Sequence, residues 1–224
     1  MDISKQVIDY ERARSECYRL FASSFYHPKR ETFLEERLFE NLSLILRKVC
    51  PDASALSDKM SEAITKYSHE DLLVEYAKLF VGPFELLAAP YGSVYLDEGA
   101  KIMGDSTMEV IKTYRAEGLA LDENFMEPPD HITAELEFMY YLVFREVEAL
   151  ESSDMEKTAY FLEAQKYFQS RFLGRWAQIF CDRIKKGTKN EFYSALAGCL
   201  STFVMESATP ADLQALHRGV CRPG

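Results

Sequence analysis

The chain has 224 residues, 47% hydrophobic and 13% aromatic, and a formal charge of −10. That length carries a core without disulfide or metal support, and the excess of carboxylates disfavours nucleic acid, whose phosphates are met mainly by cations. Only eight Pro and ten Gly punctuate it, which favours long helices over a many-turned β fold.

An acidic surface suits a basic peptide partner, and it also simply keeps a protein in solution. Five Cys, at 17, 50, 181, 199 and 221, form no CxxC pair, which fits a reducing compartment. The N-terminal MDISKQVIDYERARSE alternates charged and apolar residues, unlike a signal peptide, and no stretch approaches the ~18 apolar residues of a membrane span. The expectation is a cytoplasmic protein.

Tyr10, Ala13, Cys17, Leu20, Phe21 and Ser24 recur at helical spacing and predict a helix over about 4 to 26, ended by His27-Pro28. Phe33, Leu34, Leu38, Leu42, Ile45, Leu46 and Val49 predict a second before Pro51, and a third follows around Leu56 to Tyr67. Ser68 with Asp71 starts a fourth, which runs through Tyr76, Leu79 and Phe80 to Gly82-Pro83. From 83 to 105 the pattern breaks into PFELLAAPYGSVYLDEGAKIMGD; an irregular loop of that length is usually functional or mobile.

Ser106 with Glu109 reads as a capping box for a helix closed by Gly118. LALDENFMEPP forms a second irregular connection, so the two lie at about 82–105 and 119–129. Ile132, Leu136, Met139, Val143, Val147 and Leu150 then describe one stripe of a helix of about five turns. Helices follow over Ala159 to Ser170 and Phe172 to Ile184, then after a capping box of Thr188 and Glu191, and last from Thr209-Pro210. The whole reads as one all-α domain over 1–224 of about nine helices.

MEPPDHITAE, from Met126, sets two readings side by side. As structure, Asp130 caps the following helix with a side chain suited to the positive end of its dipole, worth ~1 kcal/mol. That account leaves Glu127 and His131 unexplained, since a protonated imidazole faces the helix dipole unfavourably. As a site, two carboxylates and an imidazole converge at a helix mouth.

Sharper chemistries are poorly supplied. Asp130, His131 and Glu135 resemble part of a metal triad, but a non-haem iron site wants a second His and zinc more N or S ligands, and His27, His69 and His217 have no matching spacing. GAKIMGDS has the glycine spacing of a phosphate loop, yet Asp105 stands at the Lys position and sets a negative charge where phosphates would lie. No G-x-S-x-G or catalytic Cys setting is present. Phe84, Tyr91 and Tyr95 stand in an irregular segment, either buried by it or offered to a partner.

Three blocks carry a resemblance: YAKLFVGP with PYGSVYLDEG and MGDST over 76 to 107; MEPPDHITAELEFM, with an E-P-x-D-H signature at Glu127, Pro128, Asp130 and His131; and FLGRWAQIFCDRI followed by EFYSALAGCLSTF. In their order and spacing they resemble the TorD/DmsD/NarJ-like family of cytoplasmic chaperones for molybdenum oxidoreductases, also called redox enzyme maturation proteins, and most of all its TorD/DmsD branch. Tyr91 and Tyr95 stand where some members carry Trp, which keeps an aromatic platform.

The resemblance implies an all-helical binding protein, not an enzyme. Such a chaperone binds the twin-arginine signal peptide or N-terminal region of a molybdoenzyme's catalytic subunit and holds it for cofactor insertion before export. Molybdenum cofactor biosynthesis proteins and the Tat translocon are further implied partners, and relatives suggest both monomers and domain-swapped dimers. No cofactor is implied, although GTP binding is associated with some relatives; a weak GTPase or an adaptor lacking a peptide site are the alternatives.

A signal with basic and apolar segments asks for carboxylates beside an apolar groove. The expected site therefore has Glu127, Asp130 and Asp97 facing the arginines, Phe84, Leu86, Tyr91 and Tyr95 lining the apolar part, and His131 fixing the loop beside Pro128. On this reading Asp130→Ala and His131→Ala weaken peptide binding and leave the melting temperature nearly unchanged.

Overall fold

In a computed structural model, which describes residues 3–82 and 86–206, the first amphipathic stretch is helix α1 (Ile3–Phe25). Cys17, Leu20, Phe21 and Phe25 on its inner face are buried. The expected second helix is broken into α2 (Arg30–Glu35) and α3 (Leu38–Val49), where Arg37 adopts φ 50°, ψ 44°. In a continuous helix Phe33 and Leu38 would point about 140° apart. The break turns both inward, and Phe33 meets Phe39 edge-on with ring centroids 5.5 Å apart.

Pro51 starts α4 (Pro51–Ala63), which tightens into a 3₁₀ turn over Ile64–Lys66. Ser68 and Asp71 make the expected reciprocal cap of α5 (His69–Tyr76). This helix widens into a π-helical turn over Ala77–Val81, closed by Gly82 N–H to Ala77 O at 2.7 Å with Gly82 at φ 51°. The long irregular segment is not wholly irregular, because α6 (Ser93–Leu96) lies within it.

Four longer helices follow: α7 (Asp105–Ala116), α8 (Ile132–Glu151), α9 (Met155–Arg171) and α10 (Leu173–Gly187). The last described is α11 (Glu191–Glu206), so the described residues hold eleven α-helices, nine of them at least eight residues long. The expected start at Thr209-Pro210 lies outside the described residues. Thr188 is not the reciprocal partner of Glu191: Asn190 Oδ1 accepts from the Phe192 and Tyr193 amides, while Thr188 Oγ1 accepts from the Asn190 amide. Asn190 sits two residues nearer the helix, directly before Glu191, and its reach suits the first-turn amides.

Packing is helix on helix. The α8 stripe of Ile132, Leu136, Met139, Val143 and Val147 is buried and lies along α1, with α9 on its other flank. Helices α10 and α11 pair, α11 covers α4, and α3 joins α4 to α1. Phe80, Phe180, Tyr193 and Phe25 interlock where these layers meet.

One polar cluster is sealed inside. Arg14 of α1 bonds Glu11 at 2.6 Å, lies 3.6 Å from Glu146 of α8 and donates to Gln165 of α9, which in turn donates to Glu146 at 2.6 Å. Two carboxylates thus share one buried guanidinium. Burial, reinforced by Glu11, pushes the Glu146 carboxyl up to about 8.

Candidate functional site

The two irregular connections meet through their backbones. Gly92 N–H donates to Asp130 O at 2.9 Å and Ile132 N–H to Pro90 O at 2.9 Å, pairing Tyr91 with His131 in one antiparallel bridge. The PYGS and PDHI stretches are therefore two halves of a clasp. Tyr114 of α7 pins one half, donating its hydroxyl to Pro129 O at 3.1 Å, and Tyr95 steadies the other by donating to Ala89 O at 2.8 Å.

Asp130 is buried and does not cap α8. Its Oδ2 accepts from the Ser93 amide at 2.6 Å and so caps α6 across the clasp. The cap of α8 is His131, whose Nδ1 accepts from the Thr133 amide at 3.2 Å and lies 2.7 Å from the Thr133 hydroxyl. Burial pushes this imidazole down to about 4, so it stays neutral and can accept at a helix N-terminus, where a protonated ring would be repelled. The residue that looked anomalous as a cap is the cap, and the one that looked ideal is used elsewhere.

Asp97 is used in the same way. Its carboxylate accepts from the Ser106 amide at 3.1 Å and hydroxyl at 2.9 Å, capping α7 from outside, so Ser106 is not the expected cap. Gly104 makes room, since a Cβ there would stand 2.0 Å from Asp97 Oδ2. The helix end that follows GAKIMG is thus already filled by a carboxylate, which opposes phosphate binding.

Beneath the clasp lies Glu135, fully buried, with Oε2 accepting from Trp176 Nε1 at 2.9 Å. Burial and the neighbouring Asp130 push its carboxyl well above the usual carboxylate range, which favours its protonated form. Gly92 rides on this pair: a Cβ would stand 3.0 Å from both Glu135 Oε1 and Trp176 Nε1. Trp176 also stacks on Tyr95 at 5.5 Å, and the Arg183 guanidinium lies 4.8 Å over the Tyr95 ring. Tyr95 is therefore a packed pillar with its ring engaged on both counts, not an open apolar platform.

What faces outward is smaller than expected. Glu127 is exposed and accepts from the Tyr91 hydroxyl at 2.8 Å, with half-buried Pro128 beside it and Met126 87% exposed. Leu86 is half-buried and Leu87 exposed at the start of the other half. Phe84 lies outside the described residues. Phe125 packs edge-on to His131 at 6.1 Å and Tyr26 edge-on to Phe125 at 6.5 Å, extending an aromatic path from the clasp toward α8.

Sequence reasoning brought together Tyr91, Glu127, Pro128, Asp130 and His131, but weighed Glu135 only as a metal ligand and gave Trp176 no role. No group of three His, Cys, Asp or Glu among the described residues is placed to hold a metal ion. A signal for Glu135 was present: it follows Ile132 by one helical turn, on the face that packs inward, where a carboxyl needs a donor.

The fold and the clasp define a chain of the nitrate reductase delta subunit family, whose model matches residues 47–182; the chain belongs to that family. The matched span contains both halves of the clasp. Among its relatives is a chaperone protein TorD from Vibrio parahaemolyticus, 26% identical over 211 residues that cover 89% of this chain and 94% of the relative. Another, from Haemophilus influenzae and described as a Tat proofreading chaperone, DmsD, is 31% identical over 139 residues, 62% of this chain and 61% of the relative. In fold the chain is similar to a protein from Archaeoglobus fulgidus described as a redox enzyme maturation protein, with a TM-score of 0.55 and 20% identity over 86% of this chain and 93% of the other.

Proposed function

We propose that this chain is a cytoplasmic chaperone of molybdoenzyme maturation, which binds the twin-arginine signal peptide or N-terminal region of the catalytic subunit and holds it during cofactor insertion. The observation that carries the proposal is the clasp. Two long irregular segments are fastened to a helical scaffold by buried caps, and they offer an exposed carboxylate, Glu127, next to exposed Met126 on one half, with half-buried Leu86 and exposed Leu87 at the start of the other. Relatives named as chaperones over most of the chain length support it. Asp130 and His131 serve by building the clasp, and no bond is made or broken.

Titration calorimetry with a synthetic peptide, two adjacent arginines followed by an apolar run, tests this on the full chain. Saturable binding that weakens as salt rises is the expected result, because exposed charge pairs are screened over ~8 Å at physiological ionic strength. Absence of binding to peptides from any molybdenum oxidoreductase of the same cell would overturn the proposal.

A further inference from the structure

Of the three carboxylates expected to face the arginines, Asp97 and Asp130 are committed as helix caps, which leaves Glu127 of that set exposed. A second surface gathers several carboxylates in one cleft. Between α7, α8 and α9 lies a cleft of about 430 Å³ with Glu109, Glu117 and Glu163 against a single lining cation, Lys112. Tyr160 and Tyr167, each 52% exposed, line the same cleft. Carboxylates that bond guanidinium in its plane, next to aromatic rings that stack on its face, favour arginine over lysine.

This cleft adjoins a second, of about 130 Å³, lined by Leu119, Leu121, Ala134 and Glu137, and the two share Phe138. The second chamber leads back to the clasp: Glu137 accepts from the Tyr26 hydroxyl at 2.7 Å, and Tyr26 packs on Phe125 beside His131. An acidic, aromatic chamber thus lies beside a more apolar one along the flank of α8, with Phe138 as their common wall. That order matches a segment whose arginines precede its apolar run.

We infer that the two arginines of the client segment bind in the α7–α8–α9 chamber, against Glu117, Glu163 and Tyr167, and that its apolar run lies past Phe138 toward Leu119 and Leu121. This rests on the proposed function. Glu163 and Glu109 are held at present by Lys166 at 2.6 Å and Arg171 at 3.1 Å, both exposed pairs of the kind worth ~1 kcal/mol or less and so readily exchanged for an incoming guanidinium. Glu117 accepts from the Tyr160 hydroxyl at 2.6 Å, which ties its carboxylate to a ring that lines the same cleft.

The test uses the full chain, the arginine peptide above and its Lys-Lys counterpart, in calorimetry at low salt. The Glu117→Gln/Glu163→Gln double variant keeps the shape and the Tyr160 hydrogen bond, and should bind the arginine peptide about tenfold more weakly. Tyr167→Ala should shrink the preference of the wild type for arginine over lysine. Exposed Glu70→Gln on α5 controls for net charge and should leave binding unchanged. If the wild type binds the peptide and the double variant binds it equally well, or is weakened no more than Glu70→Gln, the arginines lie elsewhere and only this inference fails. If the wild type binds neither peptide, the function proposed above fails first.

Discussion

Asp130 reaches back 37 residues to cap a helix it does not belong to, accepting from the Ser93 amide at 2.6 Å, while its chain neighbour His131 caps the helix that follows. Two adjacent side chains therefore serve two helix starts on opposite sides of the clasp. The buried second oxygens of Asp130 and Glu135 have no hydrogen-bond partner among the described residues. A proton on Glu135 removes the repulsion between them.

Asp130→Ala is expected to lower stability by about 1–3 kcal/mol, since it leaves the Ser93 amide unpaired inside the clasp. Asp130→Asn retains an acceptor of the same length and should cost less. Thermal unfolding followed by circular dichroism separates the two. Loss of peptide binding in Asp130→Ala then reports a loosened clasp as much as a lost contact, so the expectation of an unchanged melting temperature does not suit a residue this buried.

Gly92→Ala should disturb the clasp without backbone strain, because Gly92 has φ −57°, open to any residue. The added Cβ would stand 3.0 Å from Trp176 Nε1 and Glu135 Oε1, and overpacking of this kind costs about 1–3 kcal/mol. Trp176 is the single tryptophan of the chain, so tryptophan emission reports the surroundings of this one indole, the Gly92 contact among them. A shifted emission together with a lower melting temperature is the expected outcome; an unchanged spectrum would mean that the indole and the clasp are not in contact.

How far the sequence revealed this site follows from what each residue needs. The helices were legible because stripes such as Ile132 to Val147 depend only on neighbours three and four positions away. Tyr91 and His131 could be named as candidates, but not their pairing, which is a contact between segments 40 positions apart with no periodicity of its own. Local rules assigned Asp130 to α8 because they compare only adjacent positions, and a carboxylate suits any helix start within reach. The split at Arg37 was likewise hidden, since it answers the requirement that Phe33 and Leu38 both face one core.

His131 and Glu135 give opposite pH dependences. Burial pushes His131 from 6.5 to about 4, so the unfolded chain binds the extra proton and stability falls as pH drops from about 6.5 toward 4, by about 3 kcal/mol in all. Glu135 is raised, so the folded state keeps a proton that the unfolded chain releases above 4.5, and stability falls as pH rises beyond that point. Between 4.5 and 6.5 the two oppose each other. His131→Asn should flatten the acid limb of a melting temperature against pH curve, and Glu135→Gln the alkaline limb; identical curves for variant and wild type would show that neither group is titrating from a buried state.

The Glu11–Arg14–Glu146–Gln165 cluster makes the separation of charge and shape testable. Arg14→Ala leaves Glu11 and Glu146 buried without a cation and should cost about 3–5 kcal/mol. Glu146→Gln should be far milder, because burial holds that carboxyl up to about 8 and Gln reproduces its neutral form at pH 7. The folded state keeps the Glu146 proton that the unfolded chain loses above 4.5, so wild-type stability from this group declines as pH rises from 4.5 through about 8. Gln cannot titrate, so the variant should gain on the wild type steadily over that window. Urea unfolding at pH 5, 7 and 8.5 reads the difference directly, and a gap that does not change with pH would show that burial does not hold a proton on Glu146.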